Sequence, residues 1–193
     1  MPQDDQNLKD KILAEATRLF VARGYNGISM REIAEALNVS KAALYYHYRN
    51  KQDLMIAILQ DYLEEIDRLF LDPLSTERSA RQRIRHMVEV IFSLPPERRA
   101  VIRLASQEMG QLDPQIRIQF GELYHQKFIG HIEAVLKAGV VSGELRAMDT
   151  ATATWILLGM MYPFFYGEGL RSAVQTGPLI EQIVDLFLNG ASA

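Results

Sequence analysis

The sequence predicts an all-α fold of about nine helices, a three-helix head followed by a larger helical domain. Three observations predict it. Apolar residues recur at helical spacing along nearly the whole chain, and no alternation of period two persists anywhere. Serine, asparagine, glycine and proline punctuate that pattern at helix-length intervals. The 193 residues are 48% apolar and 23% charged, an ordinary globular composition for one or two domains.

The elements follow in order. Ile12, Ala16, Leu19 and Phe20 mark one face of a first helix, and Gly24 lies where a left-handed C-terminal cap belongs. Ser29-Met-Arg-Glu32 has the form of a capping box, in which serine and glutamate satisfy each other's backbone amides. The helix it opens carries Ile33, Ala34 and Leu37 and stops at Asn38, a residue that tolerates left-handed backbone. Ser40 caps a third helix through Tyr48, and Asn50 with Asp53 caps a fourth over 51–71. Ile84, Met87, Val88, Ile91 and Phe92 mark a further helix ending at Leu94, and others are expected over 96–110, 113–138, 149–169 and 177–189. They are separated by Asp72-Pro-Leu-Ser, Leu94-Pro-Pro, Gly110 to Pro114, Gly139 to Met148 and Thr176-Gly-Pro178.

Composition excludes several classes of function. Zero cysteines rule out disulfides, thiolate catalysis, iron–sulfur clusters and cysteine-held zinc. His125 and His131 stand six apart with His86 far off, so no metal spacing is visible, and no cofactor is expected. No glycine-rich phosphate loop occurs and no catalytic constellation can be read, so an enzyme is not expected. Glu108 and Glu133 are the acids to examine for a pocket role, against the simpler expectation of solvated helix faces. The polar, acidic start lacks a signal-peptide pattern, which makes the cytoplasm the expected compartment. Residues 150–167 carry no charge, but Thr150, Thr152, Thr154, Gly159 and Pro163 and the acidic flanks argue for a buried or interfacial helix, not a membrane span.

Net charge is −3, which speaks against binding a polyanion over the whole surface. Residues 1–60 hold eight basic and seven acidic residues, whereas the rest hold 13 and 17. Between Glu35 and Asp53 there is no acid at all, and Lys41, His47, Arg49 and Lys51 lie there. A basic spot therefore sits in an acidic protein. Ser29 to Tyr48 has the form of two short helices joined by a three-residue turn, Asn38-Val39-Ser40, the spacing of a helix-turn-helix whose second helix enters the DNA major groove. If Leu44 and Tyr48 pack inward, the outward face is Lys41, Ala42, Tyr45 and Tyr46. A lysine suits guanine or phosphate, a small alanine allows close approach, and phenols donate to phosphate. Ser29 and Ser40 start helices whose free amides suit phosphate oxygens.

The run from Gly24 to Leu54, with Leu44-Tyr45-x-His47-Tyr48-x-x-Lys51-x-x-Leu54 after a capped helix, resembles the DNA-binding domain of TetR-family transcriptional regulators. The resemblance covers about residues 8–60. It implies a homodimer on a near-palindromic duplex operator, a head over residues 1–50, and a ligand-binding and dimerisation domain over 51–193. It also implies that Ser29, Tyr45, His47 and Lys51 occupy phosphate-contacting positions, and Lys41, Ala42 and Tyr46 base-facing ones. Two residues depart from the family pattern. Asn38 and Ala42 stand where glycine is common, so operator preference does not carry over from relatives.

Aromatic and methionine residues concentrate towards the C-terminus, and such side chains wall pockets for apolar or flat ligands. Met109, Tyr124, Phe128, Trp155, Met161 and Tyr162 are the candidates for a pocket. By resemblance, Leu157, Leu158, Leu179, Ile183, Leu186 and Phe187 belong to a dimeric four-helix bundle. The expected function is a ligand-responsive regulator, a repressor released from its operator by a small apolar or aromatic effector. The alternative is a helix-turn-helix protein whose larger domain binds a protein partner.

Overall fold

A computed structural model of the chain describes residues 2–71, 79–165 and 176–190. Among the described residues there is no strand. The helices are α1 (Pro2–Arg23), α2 (Met30–Ala36), α3 (Lys41–His47), α4 (Lys51–Phe70), α5 (Ala80–Ser93), α6 (Pro96–Glu108), α7 (Pro114–Tyr124), α8 (Gly130–Ser142), α9 (Thr150–Met161) and α10 (Thr176–Asn189). A π-helical turn, His125–Ile129, joins α7 to α8 without a break. Nine continuous rods result among the described residues, as the all-α expectation required.

Side-chain caps set most of the starts. Ser29 accepts the Glu32 amide while Glu32 reaches back to the Ser29 amide, completing the capping box. Ser40 accepts the Ala43 amide at 3.1 Å, and Asn50 accepts the Asp53 amide at 2.8 Å. Ser79 with Gln82 forms a second capping box, and Asp149 caps α9. Gly24 closes α1 at φ 74, and Asn38 takes φ 53 after α2, the left-handed turn its side chain tolerates.

The helix boundaries differ from the sequence reading at Gly139 and after Met161, and α1 extends well ahead of the residues that marked it. α1 begins at Pro2, well before its first apolar residue, because proline starts a helix readily and the polar residues behind it are good helix formers. The expected break at Gly139 falls instead at Gly143, which caps α8 at φ 78. Gly139 is a packing glycine: a Cβ there would lie 2.8 Å from the Ala80 Cβ and 2.7 Å from Leu145. The expected helix over 149–169 is α9 followed by a 3-10 turn, Tyr162–Phe165, and its remainder lies outside the described residues.

The chain forms two compact units. The first comprises Met1–Tyr62 and Ala100–Phe120. Its core joins Ile12, Ala16 and Phe20 of α1 to Ile33 and Ala34 of α2, with Leu44, Leu54 and Ile58. The second comprises Leu63–Arg99 and Gly121–Ala193. Here α5 packs on α8 and α10, and α9 packs on the same two helices. Ile84, Val88, Ile91, Phe128, Leu136, Leu158 and Val184 are fully buried there. α4 supplies residues to both units, so it is buried along its length by Leu54, Ile58, Tyr62, Ile66 and Phe70. Among the described residues no helix is long and apolar enough to cross a membrane.

Candidate nucleic-acid interface and effector site

Ser40 starts α3 and Leu44, with no exposure at all, anchors it, which fixes what the helix can show to solvent. Tyr48 caps its end and is buried too, and burial, with the charges of Asp10 and Asp61, pushes its phenol up to about 12. Leu44 and Tyr48 thus face inward. Lys41, Ala42, Tyr45 and Tyr46 are exposed, Tyr46 at 77% and Tyr45 at 47%. Two aromatic rings so exposed on one short helix form an apolar patch on its outer face.

His47 lies below that surface, its ring edge-on to Tyr46 at 5.1 Å and its Nε2 3.5 Å from Asp5. Lys51 is half-buried. Its Nζ donates to the carbonyls of Tyr25, at 2.7 Å, and Ile28, at 3.1 Å, and sits 4.3 Å above the Tyr25 ring. An ammonium has three donors, so one remains for an anion. An open groove of about 670 Å³ runs past Asn26, Ser29, Arg31, Tyr45, Arg49 and Lys51, bringing Ser29, Tyr45 and Lys51 to one place. Glu32 borders it, but its carboxylate is occupied by Ser29 and Arg23. The Ser29 hydroxyl and amide, then Arg23, hold its carboxyl at about 2. The groove thus carries two arginines and a lysine; its one acid is already committed, and Arg31 pairs with Glu35 at 3.2 Å.

Sequence reading missed one contact of this head. Glu108, at the end of α6, accepts the Tyr25 amide at 3.2 Å and is no solvated bystander. Its charge and the burial of Tyr25 raise that phenol, burial being the larger cause. Gln52 accepts the Asp113 amide at 3.1 Å in the same unit. Neither pair is close in sequence, so no local pattern announced it.

In the second unit Tyr124 and Tyr162 share a hydrogen bond between their hydroxyls at 3.1 Å, and Tyr124 packs on Phe128 at 5.3 Å. Phe128 and Met161 are fully buried. Met109 belongs to the first unit and is half-buried. Trp155 points away from its own core, 53% exposed, beside Ile156 at 55%. Leu157, Leu158, Leu179 and Ile183 are buried within the protomer, Phe187 is half-buried, and Leu186 is exposed. Asp67 accepts from Lys127 and meets His131 Nε2 at 2.7 Å, and these two lower its carboxyl, the His131 bond most. Glu133 pairs with Lys137. Among the described residues no group of acids and histidines could hold a metal ion.

Capped helix, tight turn and an exposed polar-aromatic helix define a helix-turn-helix DNA-binding protein. Comparison with known proteins gives the family. Residues 12–58 match the family described as "Bacterial regulatory proteins, tetR family", and residues 77–164 match "Tetracyclin repressor-like, C-terminal domain". The HTH-type transcriptional activator FasR of Mycolicibacterium smegmatis is 32% identical over 119 residues, 62% of this chain and 53% of its own length. The chain therefore aligns with about half of that relative. The crystal structure of PfmR, a TetR-family regulator from Thermus thermophilus, superposes with a TM-score of 0.79 at 26% identity, covering 94% of this chain and 99% of its own. AibR, solved in complex with isovaleryl coenzyme A and operator DNA, superposes with a TM-score of 0.77 at 24% identity, covering 93% and 97%. The chain belongs to the TetR family and is a DNA-binding transcriptional regulator.

Proposed function

We propose that the chain is a ligand-responsive, sequence-specific repressor that grips a near-palindromic operator as a homodimer and is released by a small apolar effector. The exposed face of α3 carries this reading. Lys41, Ala42 and Tyr46 read base edges, while Ser29, Tyr45 and Lys51 of the groove, with Ser40 at the start of α3, hold the backbone, and His47 beneath them steadies the Tyr46 ring. The single spare donor of Lys51 makes it a positioning cation that both holds the turn before α2 and meets a phosphate.

One two-turn recognition helix reads only a few base pairs, so specificity needs two copies. Trp155, Ile156 and Leu186, with Phe187, form the partner face on α9 and α10, since Leu157, Leu158, Leu179 and Ile183 are already satisfied inside the protomer. Tyr124, Phe128, Met161 and Tyr162 supply apolar walls for the effector. The AibR complex with isovaleryl coenzyme A and operator DNA supports a small-molecule effector acting beside DNA.

Selection from a pool of random duplexes tests the proposal. The expected outcome is one enriched sequence with two inverted half-sites, lost in the Lys41→Ala, Tyr46→Ala double variant. Enrichment of no sequence, or of a single half-site without symmetry, contradicts it.

A further inference from the structure

Arg99 lies in the second unit at 7% exposure. Its Nε is buried and has no hydrogen-bond partner among the described residues. The guanidinium carbon instead lies over the face of Phe92, 5.8 Å from the ring centre. The preceding residue shows the contrast: Arg98 is paired with Glu65. Arginine stays charged at every accessible pH, so Arg99 cannot escape by losing a proton. A buried cation without an anion is unfavourable, and a methionine or leucine would fill the space without that penalty. A guanidinium in this state is poised to take a carboxylate or phosphate on its fork of donors.

Phe92 also begins a continuous chain of aromatic contacts within the same unit. It meets Phe165 at 5.6 Å, and Phe165 meets Tyr162 at 5.9 Å. Tyr162 bonds Tyr124, Tyr124 packs on Phe128, and Phe128 stacks on Phe70 at 5.8 Å. One end of an apolar, polarisable belt is therefore a buried cation. A group so covered is closed to a macromolecule.

We infer that Arg99 anchors the anionic head of the effector, and that the effector is an amphipathic anion: an apolar chain or ring bearing a carboxylate or phosphate. This rests on the effector reading above and narrows it, replacing an apolar ligand with a charged-headed one. The anionic head sits on the guanidinium fork and the apolar body runs along Phe92, Phe165 and Tyr162.

Matched probes of equal chain length test it: decanoate, decanol and decanoyl coenzyme A, each titrated by calorimetry into the intact protein and into Arg99→Met and Arg99→Lys. Wild type should bind at least one of the two anions about tenfold or more tighter than decanol, the discrimination one charge-assisted hydrogen-bonded pair provides. Tight decanoate assigns the head to a carboxylate, whereas tight decanoyl coenzyme A alone assigns it to phosphate. In Arg99→Met the preference should fall to about unity, and Arg99→Lys should recover part of it. Decanol binding as tightly as both anions overturns the role of Arg99 and leaves an apolar effector standing. Binding of none of the three probes overturns the amphipathic-anion assignment, and operator selection, done without ligand, still reports on DNA binding. Should Arg99→Met fail to fold, the wild-type comparison decides the ligand class and Arg99→Lys decides the anchor, an undiminished preference for the anion in that variant overturning it.

Discussion

At the scale of the residue, function depends on side chains held by partners far away in sequence. Glu108 is the sharpest case: its carboxylate accepts the amide of Tyr25, whose carbonyl in turn accepts Lys51. Removing the acceptor leaves a part-buried amide without its partner, so Glu108→Ala should lower stability by about 1 kcal/mol. Glu108→Gln keeps a carbonyl oxygen there and should restore most of the loss. Denaturant unfolding of the two variants checks this. A glutamine variant as unstable as the alanine one would show that charge, not the amide bond, matters at that position. The same distance explains what sequence could not reveal. Lys41, Tyr45 and Tyr46 were legible because Leu44 and Tyr48 set the helix face locally. The Glu108–Tyr25 bond, the burial of His47 and the unpaired Nε of Arg99 depend on which helices meet, which no local pattern records.

At the scale of the element, caps and periodicity made most helices legible before any coordinates. Ser29 with Glu32, Ser40, Asn38 and Gly24 act where their chemistry placed them. Gly139 misled because a glycine needed for close packing looks, in sequence, like one needed for a turn. The π-helical turn at His125–Ile129 left no signal at all. The capping box of α2 also carries a pH dependence. Glu32 has its folded value lowered from 4.5 to about 2, chiefly by the Ser29 hydroxyl. A lowered carboxyl adds stability that is complete above about 4.5 and is lost as pH falls towards about 2. Thermal unfolding followed across that window should fall less steeply with acidification in Glu32→Gln, whose amide oxygen still accepts the Ser29 amide. An unchanged pH profile in that variant would remove Glu32 from the acid response.

At the scale of the whole molecule, an acidic chain of net charge −3 must bind a polyanion through a local field. On the proposed reading the acid-free window from Lys41 to Lys51 and the groove beside it supply that field, while the rest of the chain is net acidic. This asymmetry was legible from the start, since it needs only counting. For the proposed partner face, resemblance pointed to α9 and α10, but which of their apolar residues point outward depends on the packing of α5 and α8. Linkage follows from the proposed coupling, so that an effector that loosens the operator complex must itself bind the complex more weakly by the same factor.

The salt dependence of operator affinity tests the central claim most directly. Arg49 and Lys51 beside the groove give two backbone cations per protomer, and two protomers releasing counterions from about four phosphates give a slope of log affinity against log salt of about −4. A straight line near that slope, flattened when Arg49 is replaced by alanine, is the result predicted. Affinity that does not change with salt would mean that this face does not hold the DNA backbone.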